Sequence, residues 1–341
     1  MNPTQNTILI PAETMRQCFI DILSKTGYAT DRSKQLAEVF TQNSVDGIYT
    51  HGINRFARFI EHTKMGVIVK DAIPSLVCRS NGIEQWDGNL GPGILNAIAS
   101  TDQSIRLADQ YGIGCVALRN TNHWMRAGTY GWRAALRGYV FIGFTNTIAN
   151  MPSYRASNAK LGNNPLVLAV PYKDTAIVLD MAMSQYSFGS MELKAMKNEM
   201  LEVPGGYDEQ GNLTTDPAAI LKTRNPLAIG YWKGAGLSLL LDIIATILTG
   251  GLATHEISKR SIEYGMSQVF ISINSKGLSN YSSIPGLIEN IIADYKQSVP
   301  RDENKSITYP GARALKNREQ NLEKGIPVVQ KVWDEIQNIN S

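Results

Sequence analysis

The sequence predicts an α/β fold tending to α+β, a mixed sheet joined by a helical subdomain from the N- and C-terminal segments. Two observations predict it. Apolar residues recur at helical spacing near the N-terminus, and from about residue 75 short apolar runs alternate irregularly with helical stretches. A polar, helical tail closes the chain. The expected division is 1–75, with 285–341 packing on it, and 76–284 as the α/β domain that binds ligands.

Met15, Phe19, Ile22 and Leu23 share one helical face, and Gly27 stands where a C-terminal cap belongs. A second amphipathic stretch starts at Asp31, carries Leu36, Val39 and Phe40, and ends at Gly47. Thr50-His51-Gly52 follows at once, and Phe56, Phe59 and Ile60 continue the pattern. Leu95–Tyr111 reads as a helix and Ile113–Arg119 as a buried strand. Trp132–Leu136 is helical and Tyr139–Thr145 a strand. Leu166–Val170 and Ala176–Asp180 are strands around a turn at 171–174. Leu237–Leu248 reads as a buried helix closed by Gly250 and Gly251, and Phe270–Ile273 as the last strand.

Composition narrows the function classes. Hydrophobic residues make up 43% and charged residues 18% of 341 residues, which suits a folded chain. The net charge of +3 is scattered, and the densest basic patches, Arg313–Arg318 and Lys259-Arg260, are too thin for a nucleic-acid stripe. Cys18, Cys78 and Cys115 lie far apart without CxxC spacing, so neither a disulfide framework nor a metal site is expected. Residues 1–11 lack the features of a signal peptide, and the apolar run Leu237–Leu248 is short and broken by Asp242. A cytoplasmic protein with no membrane span is the expectation.

His51 and Arg55 are the first candidate pair. Imidazole exchanges a proton near neutral pH, and a guanidinium four residues on can hold a carboxylate bidentately. A His-Gly-x-x-Arg string also arises by chance. The GxGxxA string from Gly112 to Ala117 has a helix before it and a strand after, the reverse of a dinucleotide fingerprint. Its glycines read as a helix end. No Walker loop, HExxH or GxSxG occurs.

Four further stretches mix polar groups with glycines. Asn122 to Trp132 follows a strand, where ligand-facing loops sit, though His123 and the tryptophans could equally cap a helix. Gly162-Asn163-Asn164-Pro165 offers amides to a phosphate or sugar, or is a plain turn. Asp180 ends a strand and could bind ribose, orient a histidine or cap a helix. Gly230 to Gly236 brings Lys233 to a helix N-terminus, an anion site in form.

Thr50-His51-Gly52, Asn122-His123, Gly162-Asn163-Asn164-Pro165, Asp180-Met181-Ala182-Met183-Ser184 and Lys233-Gly234-Ala235-Gly236-Leu237 together resemble the type-2 malate/L-lactate dehydrogenase family. Its members are oxidoreductases that use NAD(P) without a Rossmann fold. The resemblance covers nearly the whole chain and is nearest to a branch that reduces α-keto sugar acids. It implies a homodimer using NADH, with NADPH as the alternative, bound at or near the subunit interface. It implies His51 as proton donor. Cofactor contacts map to Ala176, Ile177, Val178, Leu179, Asp180, Met181 and Ala182, to Trp232 and Lys233, and to Gly311, Ala312 and Arg313. Arg55 would pair with the substrate carboxylate, and Asn122 and His123 with its hydroxyls or oxyanion.

Departures from the family pattern are Thr50 for Ser, Asn163 for Thr, and Ala312 where many relatives carry Glu. Other readings are a dehydrogenase of malate, lactate or ureidoglycolate, a cyclic-imine reductase, or a non-catalytic ligand-binding protein.

Overall fold

The computed structural model describes residues 7–340, so residues 1–6 of the segment read for a signal peptide lie outside it. Strand β1 (Thr7–Ile10) leads into helices α1 (Ala12–Lys25), α2 (Thr30–Val45) and α3 (Ile53–Lys64). Their inward faces meet at Phe19, Phe40, Phe56 and Phe59, where Phe19 stacks on Phe56 with ring centroids 4.0 Å apart. Gly27 (φ +92°) and Gly47 (φ +79°) turn the chain out of α1 and α2, a left-handed conformation in which glycine meets no Cβ penalty.

The centre of the molecule is a seven-stranded sheet. Its first strands are β2 (Ser75–Ser80) and β3 (Ile83–Asp87), followed by α4 (Gly93–Tyr111), β4 (Ile113–Thr121), α5 (Gly128–Ala135) and β5 (Tyr139–Thr145). A small pair, β6 (Met151–Pro152) and β7 (Ala159–Leu161), precedes the hairpin β8 (Leu166–Tyr172) and β9 (Thr175–Met181). A satellite of α6 (Phe188–Met196), β10 (Gly206–Tyr207), β11 (Leu213–Thr214) and α7 (Pro217–Thr223) comes next. Then follow α8 (Trp232–Thr249), α9 (Thr254–Ile257) and β12 (Met266–Asn274). The chain ends with α10 (Ile284–Lys296), α11 (Ala312–Lys324), β13 (Ile326–Val329) and α12 (Gln330–Asn340).

Strand order is β2-β3-β4-β12-β5-β8-β9, antiparallel except for β3 beside β4, so the sheet is mixed. Gly112 (φ +82°) ends α4 and is followed at once by β4, in keeping with a helix end rather than a phosphate loop. Alternation along the central strands splits the core into two layers. Val116 and Phe270 face α4 and α5, whereas Cys115 and Val269 face α8. The two chain ends meet in a third cluster. β13 pairs antiparallel with β1, and Ile336 of α12 is buried among the α1–α3 side chains, which Ile94, Leu95 and Met125 also join.

One expectation needs correction. The helix expected at Leu237–Leu248 starts at Trp232, and it is not buried all round. Ser238, Leu241 and Ala245 face the sheet, while Leu240 is 54% and Ile247 69% exposed. An apolar helix laid on a sheet covers only one of its own faces. At 18 residues it is long and apolar enough to cross a membrane by length and composition alone. Asp242 at its middle instead accepts Asn146 Nδ2 at 2.8 Å and the Thr254 N–H at 2.9 Å, which ties the helix to neighbouring loops.

Candidate active site

His51 closes a single 3-10 turn, Tyr49–His51, and Arg55 lies in the first turn of α3, so Gly52 breaks the one-helix arrangement that the spacing allowed. A Cβ on Gly52 would lie 2.2 Å from Ser44 Oγ, so the loop packs this tightly on α2 only because the residue is glycine. Ser44 Oγ accepts the Ile53 N–H at 2.9 Å. Fully buried Asn43 donates to the His51 carbonyl at 2.9 Å and accepts Thr129 Oγ1 at 2.9 Å. Thr50 Oγ1 lies 3.1 Å from His51 Nδ1.

His123 follows β4. Its Nδ1 accepts the Met125 N–H at 2.9 Å, which leaves the proton of the neutral ring on Nε2 as a donor. The His51 and His123 rings lie nearly parallel, 5.6 Å apart at 19°. Asn122 does not share their position. It is buried, and its amide nitrogen donates to the carbonyls of Val67, Leu90 and Gly91 at 3.2, 2.7 and 3.1 Å. Those hydrogens are committed to backbone, so Asn122 anchors the loop beneath His123 rather than offering a donor to substrate.

Both histidines open on a cavity of about 360 Å³. Val178, Asp180, Ala182, Gly311 and Arg313 line it too, with Thr145, Thr147 and Asn163 adding hydroxyl and amide groups. Strand alternation divides the remaining cofactor candidates. Ala176 and Val178 pack toward α5, whereas Met181 packs toward α8 and neither Ile177 nor Leu179 reaches the cavity wall. Ala312 opens α11 beside Gly311 without lining the cavity. Trp232 and Lys233 stand exposed at the start of α8, outside it. Trp124 and Met125 form part of the wall.

Burial and arginine charge act in the same direction on both histidines. Burial, then the charges of Arg55 and Arg126, lowers the His51 pKa from 6.5 to about 4. His123 is pushed well below the usual histidine range by burial, then by Arg55 and the neighbouring histidines. Arg55 itself is not on the cavity wall, and among the described residues no carboxylate pairs with it within 4 Å; Glu263 opposes its charge from farther away. Glu263 accepts the Ile148 N–H at 3.0 Å, and burial raises its carboxyl. Asp180 Oδ2 accepts the Gly128 N–H at 2.7 Å, and enclosure by protein raises its pKa against the pull of Arg126.

Asp46 and Thr147 on the cavity wall and Asn43 behind His51 were not singled out in the sequence, and Arg126 was present only as part of the stretch 122–132. A faint signal existed for two of them: Asp46 stands five residues before His51, and Arg126 three after His123. Asn43 is tied to Thr129 and Thr147 to Asn163, 86 and 16 positions away, and no local pattern displays such contacts.

The residues present fit a nicotinamide cofactor. Gly311 (φ +94°) lies where a Cβ would approach Trp132 and the Val178 backbone N to 3.3 Å, a close backbone approach that leaves the cavity floor free of side chain. At the start of α11 the Ala312 and Ala314 N–H groups already donate to the Tyr309 and Gly311 carbonyls, so the group there that suits a phosphate is Arg313 on the cavity wall.

Comparison with known proteins agrees with this geometry. Residues 10–337 match the family described as Malate/L-lactate dehydrogenase. The chain is 40% identical to a 2,3-diketo-L-gulonate reductase of Citrobacter koseri over 95% of this chain and 98% of that one. It is 42% identical to the Escherichia coli O127:H6 protein of the same name, again covering 95% and 98%. Sulfolactate dehydrogenase from Methanocaldococcus jannaschii superposes with a TM-score of 0.89 at 26% identity, covering 97% and 96% of the two chains. Malate dehydrogenase from Entamoeba histolytica shares the fold at a TM-score of 0.91 and 22% identity, covering 98% and 97%. The chain belongs to the malate/L-lactate dehydrogenase family and is an oxidoreductase of hydroxy and keto acids.

Proposed function

From that membership, we propose that the protein is an NADH-dependent reductase of an α-keto sugar acid, taking 2,3-diketo-L-gulonate to 3-dehydro-L-gulonate. The two reductases at 40% and 42% identity support the substrate class. The observation that carries the mechanism is the pair of parallel imidazoles on one arginine-flanked cavity. A nicotinamide cofactor held against Val178, Gly311 and Arg313 would supply the hydride that C2 of the keto acid receives. The protein's own residues do the rest. Arg55 draws the C1 carboxylate toward the histidines. His51 gives a proton to the carbonyl oxygen, and the fixed Nε2–H of His123 donates a hydrogen bond to the same oxygen as charge builds there. Thr145, Thr147 and Asn163 face the hydroxyl-rich remainder of the substrate.

His51 is neutral at pH 7 in the free protein, and its acid role needs a proton gained on binding. Burial first and the arginine charges second hold its pKa down, and a substrate carboxylate offsets the arginine part. The same neutral ring is ready to act as base in the reverse, oxidising direction.

We place the protein in the cytoplasm as a homodimer. Leu237, Leu240, Ile244 and Ile247 form an exposed stripe along α8 at helical spacing, a face that a second copy would cover. Trp232 and Lys233 would then lie at the seam, within reach of cofactor phosphate.

The test follows absorbance at 340 nm with NADH or NADPH and either 2,3-diketo-L-gulonate, pyruvate, oxaloacetate or a cyclic imino acid. Oxidation with diketogulonate and NADH in preference to the others is expected. Turnover of only the small keto acids, or only the imine, moves the substrate; cofactor binding without any turnover overturns the enzymatic reading.

A further inference from the structure

Asp46, at the C-terminal end of α2, is 1% exposed and lies between two arginines. Arg126, itself 7% exposed, donates to Asp46 Oδ2. From the other side Arg318 on α11 makes a bidentate pair, Nε to Oδ1 at 2.8 Å and Nη2 to Oδ2 at 2.9 Å. The same turn of α2 grips α11 twice more. Asn317 Nδ2 donates to the Asp46 carbonyl at 3.3 Å, and Asn321 Nδ2 to the Val45 carbonyl at 2.9 Å. Arg318 also lies over the Trp132 ring at 5.3 Å, and Trp132 backs Gly311.

We infer that Asp46 is a positioning residue that couples the proton donor to the cofactor segment: it holds Arg126 on the cavity wall and, through Arg318, fixes the start of α11. The inference rests on the reading of His51 as proton donor. Asp46 stands five residues before His51, and Arg318 five after Arg313. One carboxylate therefore spans the two elements that meet at the cavity. Because it is buried, its charge acts at low effective dielectric, and its loss leaves two guanidinium groups uncompensated.

The charge balance around His51 is small enough for one group to matter. Arg55 from α3 and Arg126 from the β4–α5 loop act on it, and the His123 ring lies against it with His62 of α3 acting on His123; among the carboxyls, Asp46 and Asp180 face Arg126, and Glu263 faces Arg55. Asp46 is the one whose pKa is held low: burial raises it, but the Arg318 hydrogen bonds and both arginine charges outweigh that. It is therefore ionised at working pH. Arg126 acts on His51 directly and Arg318 does not, so the two partners separate by readout.

Three variants test this, Asp46→Asn, Arg126→Gln and Arg318→Met. The kcat–pH profile for reduction and the NADH dissociation constant, followed by tryptophan fluorescence, are the readouts. In Asp46→Asn the alkaline limb of kcat should move to lower pH by roughly one unit, because uncompensated Arg126 disfavours the protonated imidazole. In Arg126→Gln the limb should move to higher pH. In Arg318→Met it should stay in place while NADH binds severalfold more weakly. An unmoved limb in Asp46→Asn and Arg126→Gln makes Asp46 a structural staple only, and unchanged NADH affinity in Arg318→Met removes the coupling. Should Asp46→Asn fail to fold, the two arginine variants decide alone. Near-native turnover in His51→Gln would sink the underlying reading, whereas inactive His51→Gln with unmoved limbs sinks this inference alone.

Discussion

The ledge that carries His51 and the start of α8 that carries Lys233 are both followed by a helix with large apolar side chains, and they end up in opposite circumstances. The ledge is finished within one chain. Asn43 and Ser44 hold its backbone at 2.9 Å each, and Phe56 and Phe59 of the following helix are sealed against Phe19 and Phe40. The start of α8 is unfinished. Gly230 (φ +57°) and Tyr231 (φ +59°) are both left-handed there, a conformation strained for tyrosine, and Trp232 is 61% exposed. The difference teaches that the His51 ledge is completed by a single chain, whereas the helix that begins beside Lys233 keeps an apolar face uncovered.

The largest expected effect breaks the finished half. His51→Gln keeps the size of the side chain and removes the acid, so kcat should fall ~10²–10⁴-fold with NADH affinity little changed. Arg55→Lys keeps the charge and loses the planar fork; kcat/KM for the keto acid should fall about 10–100-fold, the loss of one charge-assisted hydrogen bond. Steady-state kinetics check both, and an unchanged kcat/KM in the second would place the carboxylate clamp elsewhere.

The unfinished half is broken by charge. Leu240→Glu on the exposed stripe should leave the fold intact, since the side chain is 54% exposed, and convert dimer to monomer in sedimentation. A wild-type monomer, or a variant that still dimerises, would remove α8 from the interface. A smaller effect sharpens the contrast by pH. Free His51 is neutral above about pH 4, so kcat/KM for reduction should decline as pH rises from there, while kcat holds to higher pH. Substrate binding near pH 7 should then take up close to one proton, seen as a calorimetric enthalpy that varies with the ionisation enthalpy of the buffer. The smallest effect is Ser44→Ala, expected to cost about 1–2 kcal/mol in unfolding free energy by orphaning the buried Ile53 N–H.

Much of the fold was legible in residue spacing. Met15, Phe19, Ile22 and Leu23 face the core as their period requires, and Gly27, Gly47 and Gly112 end helices in the left-handed conformation expected of them. The site was legible in part. His51, His123, Asp180, Ala182, Gly311 and Arg313 line one cavity, although 260 positions separate the first from Gly311. Asn122 was misjudged because an amide looks the same in sequence whether its hydrogens are free or already donated to three carbonyls. The pairing of Asp46 was not legible beyond its nearness to His51, because its partners are Arg126 and Arg318, far along the chain.

By itself, then, the sequence determined the elements, the mixed α/β class and the family, since helical period, strand alternation and glycine turns are local consequences of side-chain shape. Tertiary structure alone decided that β12 enters between β4 and β5, that α8 keeps one apolar face outside, and that a buried carboxylate joins two arginines. Those depend on which surfaces meet, and the energies of burial and charge that select them act between residues brought together only by folding.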